Sequence, residues 1–479
     1  MSALSRRLLS DILKQAPEVR GRLVAATPDD DPTITDITFD SRQVTAGSLF
    51  CCVRGDHVDG HRFAATAVAA GASAVVVDHA LDGIVGATQI VVDDTRRAMA
   101  YLANSLFGSP SRDITVVGIT GTNGKTTTAH ILSCALEFLG TPTGTIGTLS
   151  GPHTTPEAPD LQRRLAEFKA QGCVAVAMEV SSHALALDRV LGTRFRVGVF
   201  TNLGRDHLDL HGTTERYFAA KARLFESDLT EHGVINVDDV HGRLLMHSAS
   251  IPVSGFSIDE ASDLIVGGFE HSFTWRGHAA HVRLGGHFNV LNSLAAATVL
   301  DVLGYDAPDI VAALGATTSV PGRFEPVDAG QDFVVVVDYA HTPDALREVL
   351  TSARVVADGR RVIVVFGCGG DRDHEKRPMM GLAAVTLADQ VVVTSDNPRS
   401  EAPLAIINDV LGGVPAEYRS RAAVEPDRLE AIAVALRAAG PGDVVVIAGK
   451  GHETTQTIEH TVLPFDDRAV TRSLLENMS

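Results

Sequence analysis

Residues 116–127 read VVGITGTNGKTT. An apolar strand runs into a glycine loop, and Lys125, Thr126 and Thr127 then open the helical stretch KTTTAHILSCALEFLG at 125–140. Glycine lets backbone N–H groups close on phosphate oxygens, and a helix N-terminus adds a favourable dipole. Lys125 would offset β- and γ-phosphate charge, and the Thr126 hydroxyl suits Mg²⁺. A strict P-loop has glycine where this chain has Ile119; here glycines fall at 118, 121 and 124. A glycine turn beside a surface lysine would leave the flanking strand and helix unexplained.

The strand–loop pattern repeats outward from this unit. CVAVAMEVSSH at 173–183 ends an apolar strand on Glu179, the place of a metal carboxylate in P-loop enzymes. A buried, paired glutamate is the plainer role. FTNLGRDHLDLHG at 200–212 sets Asp206, His207, Asp209 and His211 after another strand, with His207 a metal ligand or a structural histidine. Lys221, in RYFAAKARLF, shares a helical face with Tyr217, Phe218, Leu224 and Phe225. It is either a snorkelling cation or a buried amine able to add CO₂ as a carbamate. Asn289 and Asn292 open the helix in GGHFNVLNSLAAATVL, where capping is the simple role.

Beyond GRFE at 322–325 the chain restarts with FVVVVDYA, a helix after Pro343, VIVVFG and DVVVIAGKG. Polar loops follow these strands, with Asp338 and His341, Arg372, and Lys450, His452 and Glu453. Open α/β sheets bind ligands at such carboxyl ends. In TSDNPRSEAP at 394–403, Pro398 stops the strand QVVV and a short loop presents Arg399. That loop is a solvated turn or an anion holder.

Alternating strands and helices imply an α/β protein with mainly parallel sheets. The 479 residues suit three domains, with Gly-Ser-Pro-Ser at 108–111 as a linker. The expected division is 1–109, a central P-loop domain at 110–321, and a Rossmann-like domain at 322–479. Leu4, Leu8, Leu9, Ile12 and Leu13 suggest an amphipathic helix at the start. A net charge of −18 argues against a general nucleic-acid binder. Apolar runs are too short to span a bilayer. Five cysteines without C-x-x-C argue against disulfides or zinc and favour a reducing cytosol.

Taken in order, GTNGKTT, MEVSSHALALDR, TNLGRDHLD, YFAAK, GHFNVLN, GRFE, DYAHTPDAL, FGCGGDRD, DNPR and AGKGHE resemble the bacterial Mur ligases. The likeness runs from about Phe39 to Arg468 and is strongest to members that add the third peptide residue to the cell-wall precursor. It implies UDP-substrate, ATP and amino-acid domains, a monomer, and ATP with Mg²⁺. The implied reaction joins meso-2,6-diaminopimelate to a UDP-muramoyl-dipeptide. An L-lysine-adding enzyme, a folate-polyglutamate-type ligase and a switch ATPase are the alternatives.

By the same resemblance, Gly121, Thr122, Asn123, Gly124, Lys125, Thr126 and Thr127 would hold the ATP phosphates. Asn289 and Asn292 would face adenine, and Arg323 and Asp338 would hold the nucleotide from across the domain boundary. Thr126, Glu179, His207 and a carbamylated Lys221 would organise Mg²⁺. Phe39, Ser41, Asp56, His57 and Val58 would line the uridine end, with His153, Thr154, Thr155, Ser181 and Arg189 along the muramoyl-peptide. Arg372, Asp396, Asn397, Pro398, Arg399, Gly449 and Glu453 would take the amino acid. Leu187 and Gly204 depart from common family residues, glutamine and serine, and Asp56 and His57 differ from many relatives.

Overall fold

The structure is a computed structural model that describes residues 6–24, 31–55, 58–151 and 153–478. The region opening at Thr115 is a parallel sheet of β1 (Thr115–Thr120), β2 (Thr143–Ile146), β3 (Ala175–Glu179), β4 (Phe195–Phe200), β5 (Thr230–Asn236) and β6 (Val253–Phe256). Their order, β6-β5-β4-β1-β3-β2, puts the nucleotide-loop strand β1 in the middle. The chain winds first to one side of β1 and then to the other, so the carboxyl ends of β1, β3 and β4 meet at the reversal point where α/β sheets bind ligands. Val116, Val117 and Ile119 are fully buried, each side chain worth about 1.5–3 kcal/mol of apolar burial.

A second mainly parallel sheet forms beyond residue 322. It orders β7 (Glu325–Pro326), β8 (Val334–Asp338), β9 (Val362–Phe366), β10 (Gln390–Val393), β11 (Ala422–Val424) and β12 (Val444–Ala448) as β7-β8-β12-β9-β10-β11. β8, β12, β9 and β10 run parallel, so loops 339–342, 449–454, 367–375 and 394–399 emerge on one edge. A five-stranded sheet within residues 21–92 forms the N-terminal region. It docks through Arg163–Asp36 (2.8 Å) and Arg96–Glu157 (3.2 Å). An antiparallel sheet, Ser262–Val266, His271–Trp275 and His278–Val282, covers part of the central core with a fully buried Trp275.

One local expectation gains detail and one changes. Residues 108–111, the expected linker, form a turn that is packed at its end: Ser109 has φ 51°, Pro110 and Ser111 are buried, and Ser111 Oγ accepts Arg194 N–H at 3.0 Å. The N-terminal helix is shorter, Leu9–Lys14, with Leu9 and Ile12 buried and Leu8 in a two-residue strand; Leu4 lies outside the described residues. No helix among the described residues is long and apolar enough to cross a membrane.

Candidate active site

The loop after β1 closes tightly on its neighbours. Gly121 (φ 151°) and Gly124 (φ 84°) adopt backbone that side chains disfavour. A Cβ on Gly121 would lie 1.8 Å from Thr201 Oγ1, and one on Gly124 2.4 Å from Asn292 Oδ1. The loop is pinned by Asn123 N–H to Asn202 Oδ1 (2.9 Å) and by Thr201 Oγ1 to Asn123 O (2.6 Å). Lys125 begins the helix α1 (Lys125–Phe138) and donates to Gly121 O and Thr122 O, both at 2.9 Å. Burial lowers its proton affinity, opposed by Glu179 and Asp206. A bound phosphate would oppose that loss in the same way.

Thr126 Oγ1 donates to Glu179 Oε2 at 3.0 Å and accepts from Arg323 Nη2 at 3.3 Å. Glu179 is 2% exposed and also accepts from Thr148 N–H (2.8 Å) and Thr148 Oγ1 (3.2 Å). Thr148 had no sequence signal of its own. His207 (φ 55°) lies 3.4 Å from Asp206 and edge-on to His183 at 4.6 Å. Burial is the chief cause that pushes its imidazole down to about 4, and a neutral ring is the form that ligates metal. Hydroxyl and carboxylate oxygens beside a neutral imidazole are a donor set that fits a divalent cation.

Lys221, on the helix α2 (Thr214–Ala222), is 1% exposed and sits 4.6 Å from the Tyr217 ring centroid. Its Nζ donates to Gly121 O at 2.7 Å, the same carbonyl that Lys125 uses. Burial first, and Lys125 second, push its proton affinity well below the ordinary lysine range. A snorkelling surface cation is therefore not what the structure shows.

A cavity of about 270 Å³ extends from the loop to the C-terminal region and is lined by Thr122 to Thr127, Glu179, His207, Asn292, Arg323 and Asp338. Arg323 stacks 4.5 Å from the Tyr339 centroid, and its buried Nε has no hydrogen-bond partner among the described residues, which suits an anion. Asp338 is buried and accepts Phe324 N–H and Ala340 N–H, each at 2.7 Å. Asn289 lies behind the wall, donating to Gly285 O and accepting from Asn292. Across the boundary, Glu348 Oε2 accepts from Asn123 Nδ2 at 3.1 Å, and Asp344 Oδ2 from Arg205 N–H at 2.9 Å. Sequence reading missed Glu348, which has no motif beyond its helix.

A second cavity, of about 410 Å³, shares Asp206, His207, Tyr339 and His341 with the first. Its other walls include Arg372, Asp396, Asn397, Arg399, Gly449 and Glu453. Arg399 has φ 51° and donates Nη1 to Gly370 O at 2.5 Å. The hairpin of Thr455–Ile458 and Thr461–Pro464 grips its backbone through Arg399 N–H to Thr457 O (3.1 Å) and Glu459 N–H to Arg399 O (2.7 Å). Pro398 points its carbonyl at Gly370 and does not line the cavity, so the hairpin does more than the proline to set this loop. Asn397 Nδ2 and the buried Lys450 Nζ meet Glu453 Oε2 at 2.8 and 2.9 Å. Gly449 is required, since a Cβ there would lie 2.6 Å from Asp396 Oδ2.

The residues expected along the UDP-muramoyl substrate are more dispersed. Thr154 lines the first cavity and meets Thr148 at 3.1 Å. Thr155 Oγ1 bonds Glu179 O (2.9 Å), Ser181 Oγ accepts Ala184 N–H at 3.2 Å, and Arg189 pairs with Glu157 at 2.9 Å. His153 is exposed. Phe39, Ser41 and Val58 follow adjacent parallel strands, Asp36–Thr38 and Ser48–Cys51, on one sheet edge, with Phe39 and Val58 exposed. Asp56 and His57 lie outside the described residues.

Three family descriptions match in chain order: Mur ligase family, catalytic domain at 33–106; Mur ligase middle domain at 119–300; and Mur ligase, glutamate ligase domain at 322–451. The chain is 45% identical to UDP-N-acetylmuramoyl-L-alanyl-D-glutamate–2,6-diaminopimelate ligase of Geobacillus kaustophilus, over 93% of this chain and 96% of that one. It is 44% identical to the protein of the same name from Streptomyces avermitilis, over 96% of both. A solved structure of that name is 34% identical, with a TM-score of 0.66 over 93% of this chain and 95% of that one. With these domains in order and this identity along nearly its whole length, the chain belongs to the Mur ligase family.

Proposed function

We propose that this chain joins meso-2,6-diaminopimelate to the D-glutamate γ-carboxylate of UDP-N-acetylmuramoyl-L-alanyl-D-glutamate, using ATP. The relatives' name supports the substrate pair, and one observation carries the chemistry: a phosphate-loop cavity opens beside a cavity rich in charged groups, with Asp206, His207, Tyr339 and His341 in common. Residues 1–109, 110–321 and 322–479 would serve the UDP-substrate, ATP and amino acid respectively.

A carboxylate is a poor acyl donor because its leaving group is an oxide. Transfer of the γ-phosphoryl group makes an acyl phosphate, which an amine attacks with loss of phosphate. Lys125 and the loop amides would balance the charge that accumulates in both steps. Arg323 would add a guanidinium from the far wall. Thr126, Glu179 and His207 would hold Mg²⁺, which when bound neutralises phosphate charge. The Lys221 amine can lose a proton and add CO₂, and the resulting carbamate anion would complete a second such site. Closure of the C-terminal region, through contacts such as Asp344 with Arg205, would keep water from the acyl phosphate.

Diaminopimelate differs from lysine by a carboxylate at the far end of the side chain. Arg399 is a planar fork held by backbone on two sides, suited to gripping that group. Arg372 would take the other carboxylate. The distal ammonium would meet Glu453, whose bonds from Asn397 Nδ2 and Lys450 Nζ both fall on Oε2. Lysine would leave Arg399 facing no anion, a cost of about 1–3 kcal/mol.

ADP release, measured with the UDP-muramoyl-dipeptide and each amino acid in turn, tests both parts. Diaminopimelate should exceed lysine by at least about tenfold in kcat/KM, and Arg399→Ala should erase most of that preference while leaving ATP affinity nearly unchanged. Equal use of lysine by the parent protein would overturn the specificity. ATP turnover independent of the muramoyl-peptide would overturn ligation itself and favour a switch ATPase.

A further inference from the structure

We infer that Lys450 is a positioning residue of the second cavity, holding Asn397 and Glu453 in the arrangement that selects an amino acid with a distal ammonium. This deepens the proposed function and rests on its reading that the cavity takes diaminopimelate. Gly449, Asn397 and Glu453 line the cavity, and Lys450 lies behind them with its side chain 0% exposed. Its Nζ donates to Thr455 O at 2.6 Å, to Glu453 Oε2 at 2.9 Å and to Asn397 Oδ1 at 3.4 Å. An ammonium has three hydrogens to give, and these three oxygens account for them. Lys450 therefore acts on a substrate through its neighbours.

The bonds fix both neighbours. Asn397 Oδ1 also accepts Thr457 N–H at 2.9 Å. Both partners of that oxygen only donate, so the amide has one orientation, and its Nδ2 donates to Glu453 Oε2 at 2.8 Å. Two donors thus converge on Oε2, and the bond from the cation is of the stronger, charge-assisted kind. Burial opposes ionisation of Glu453, but Lys450 and Asn397 outweigh it and hold the carboxyl below its usual range. The carboxylate is kept charged and fixed in rotation, with Oε1 as the oxygen for an incoming ammonium.

Position and charge predict opposite signs when Lys450 is removed. Glu453 is 32% exposed along its side chain, so without this tie it can turn toward water. A substrate ammonium would then have to order it on binding, which weakens the hold. Charge alone predicts the reverse, since deleting a cation beside Glu453 should strengthen its attraction for the ammonium.

Ligation is measured in the full-length protein with diaminopimelate and with 2-aminopimelate, which keeps both carboxylates but lacks the distal amine. The parent should prefer diaminopimelate by at least about tenfold in kcat/KM. Lys450→Met should cut that preference to about threefold or less through a raised KM for diaminopimelate, with KM for ATP and for the UDP-muramoyl-dipeptide within about twofold of the parent. Lys450→Gln, a neutral donor of similar reach, carries the same criterion if Lys450→Met fails to fold by thermal melting. A variant that loses activity equally on both amino acids keeps the parent's ratio, and that result would overturn the proposal in favour of a purely structural lysine. A preference that grows would overturn it in favour of charge, and equal use of the two amino acids by the parent would overturn it as well. A parent protein that does not ligate diaminopimelate would overturn the functional reading and this inference with it, whereas ligation with an unchanged ratio in the variant sinks this inference alone.

Discussion

In the phosphate cavity, backbone sets the walls. Gly121 and Gly124 bring the loop against Thr201 and Asn292, and three consecutive residues, Asn123, Gly124 and Lys125, sit where the helix begins. In the second cavity, proposed above for the amino acid, four loops distant in sequence meet, and charged side chains tie them. Arg377, its side chain fully buried, bonds Glu401 at 2.8 and 2.9 Å and Asp409 at 2.9 Å. Arg428, on the helix Arg428–Ala438, pairs with Asp467 at 2.7 Å and donates to Ser395 O and Ala448 O. Phosphate chemistry is shared by many enzymes and can be built from one contiguous loop. Amino-acid choice depends on side-chain positions that only a folded sheet edge can fix.

The largest expected effect strikes the ties of the second cavity. Arg428 and Asp467 both have fully buried side chains, so Arg428→Met strands a carboxylate away from water. The loss should be about 3–5 kcal/mol of stability, read from denaturant midpoints. Arg428→Met with Asp467→Leu should recover much of it, since no buried charge then remains. A loss below about 1 kcal/mol would mean that ion pairs do not hold this cavity as the comparison requires.

Removing charge from the first cavity should cost activity more than stability. Lys125→Ala should lose about 2–4 kcal/mol of transition-state stabilisation at saturating ATP. Lys221→Ala should also be inactive, but a small added carboxylate should restore part of the rate by occupying the carbamate's place. ¹³CO₂ NMR of the parent protein with ATP should show the carbamate carbon. A bare amine there would end the carbamate assignment, and full activity of Lys125→Ala would place the phosphate chemistry elsewhere.

The same contrast explains what the sequence discloses. GTNGKTT, Glu179 and Lys221 stand at strand ends or on a helical period, so their surroundings follow from short-range rules. Arg372, Arg399 and Glu453 were legible as polar loops on one sheet edge, and the structure brings them to one cavity. Thr148 and Arg377 were not, because each acts through a partner distant in sequence that no local pattern marks. The turn at 108–111 was legible only in part for a related reason: Gly, Ser and Pro announce a turn, but its burial depends on Arg194, which lies just before β4. The antiparallel sheet at 262–282 left no clear period among its histidines and glycines.

The smallest expected effect lies where the regions meet, at Glu348. Its carboxyl accepts from Asn123 of the phosphate loop and lines the first cavity. Burial is the main cause that raises it from 4.5 to about 7, with Asp344, Asp338 and Asp239 adding repulsion and the Asn123 bond opposing. The folded protein therefore keeps a proton that the unfolded chain gives up near pH 4.5. Between about pH 4.5 and 7 the folded state binds more protons, so stability falls as pH rises and levels off above 7. Glu348→Gln cannot ionise and should lack this decline, so the variant should gain on the parent from pH 5 to pH 7.5 when both are melted with denaturant. ATP affinity should follow the same sign, weakening above pH 7 in the parent by about two- to fivefold relative to the variant, the size of one screened charge. Parallel pH profiles for the two proteins would show that Glu348 is already ionised and that the cavity tolerates its charge. The phosphate loop would then be independent of the C-terminal helix that touches it.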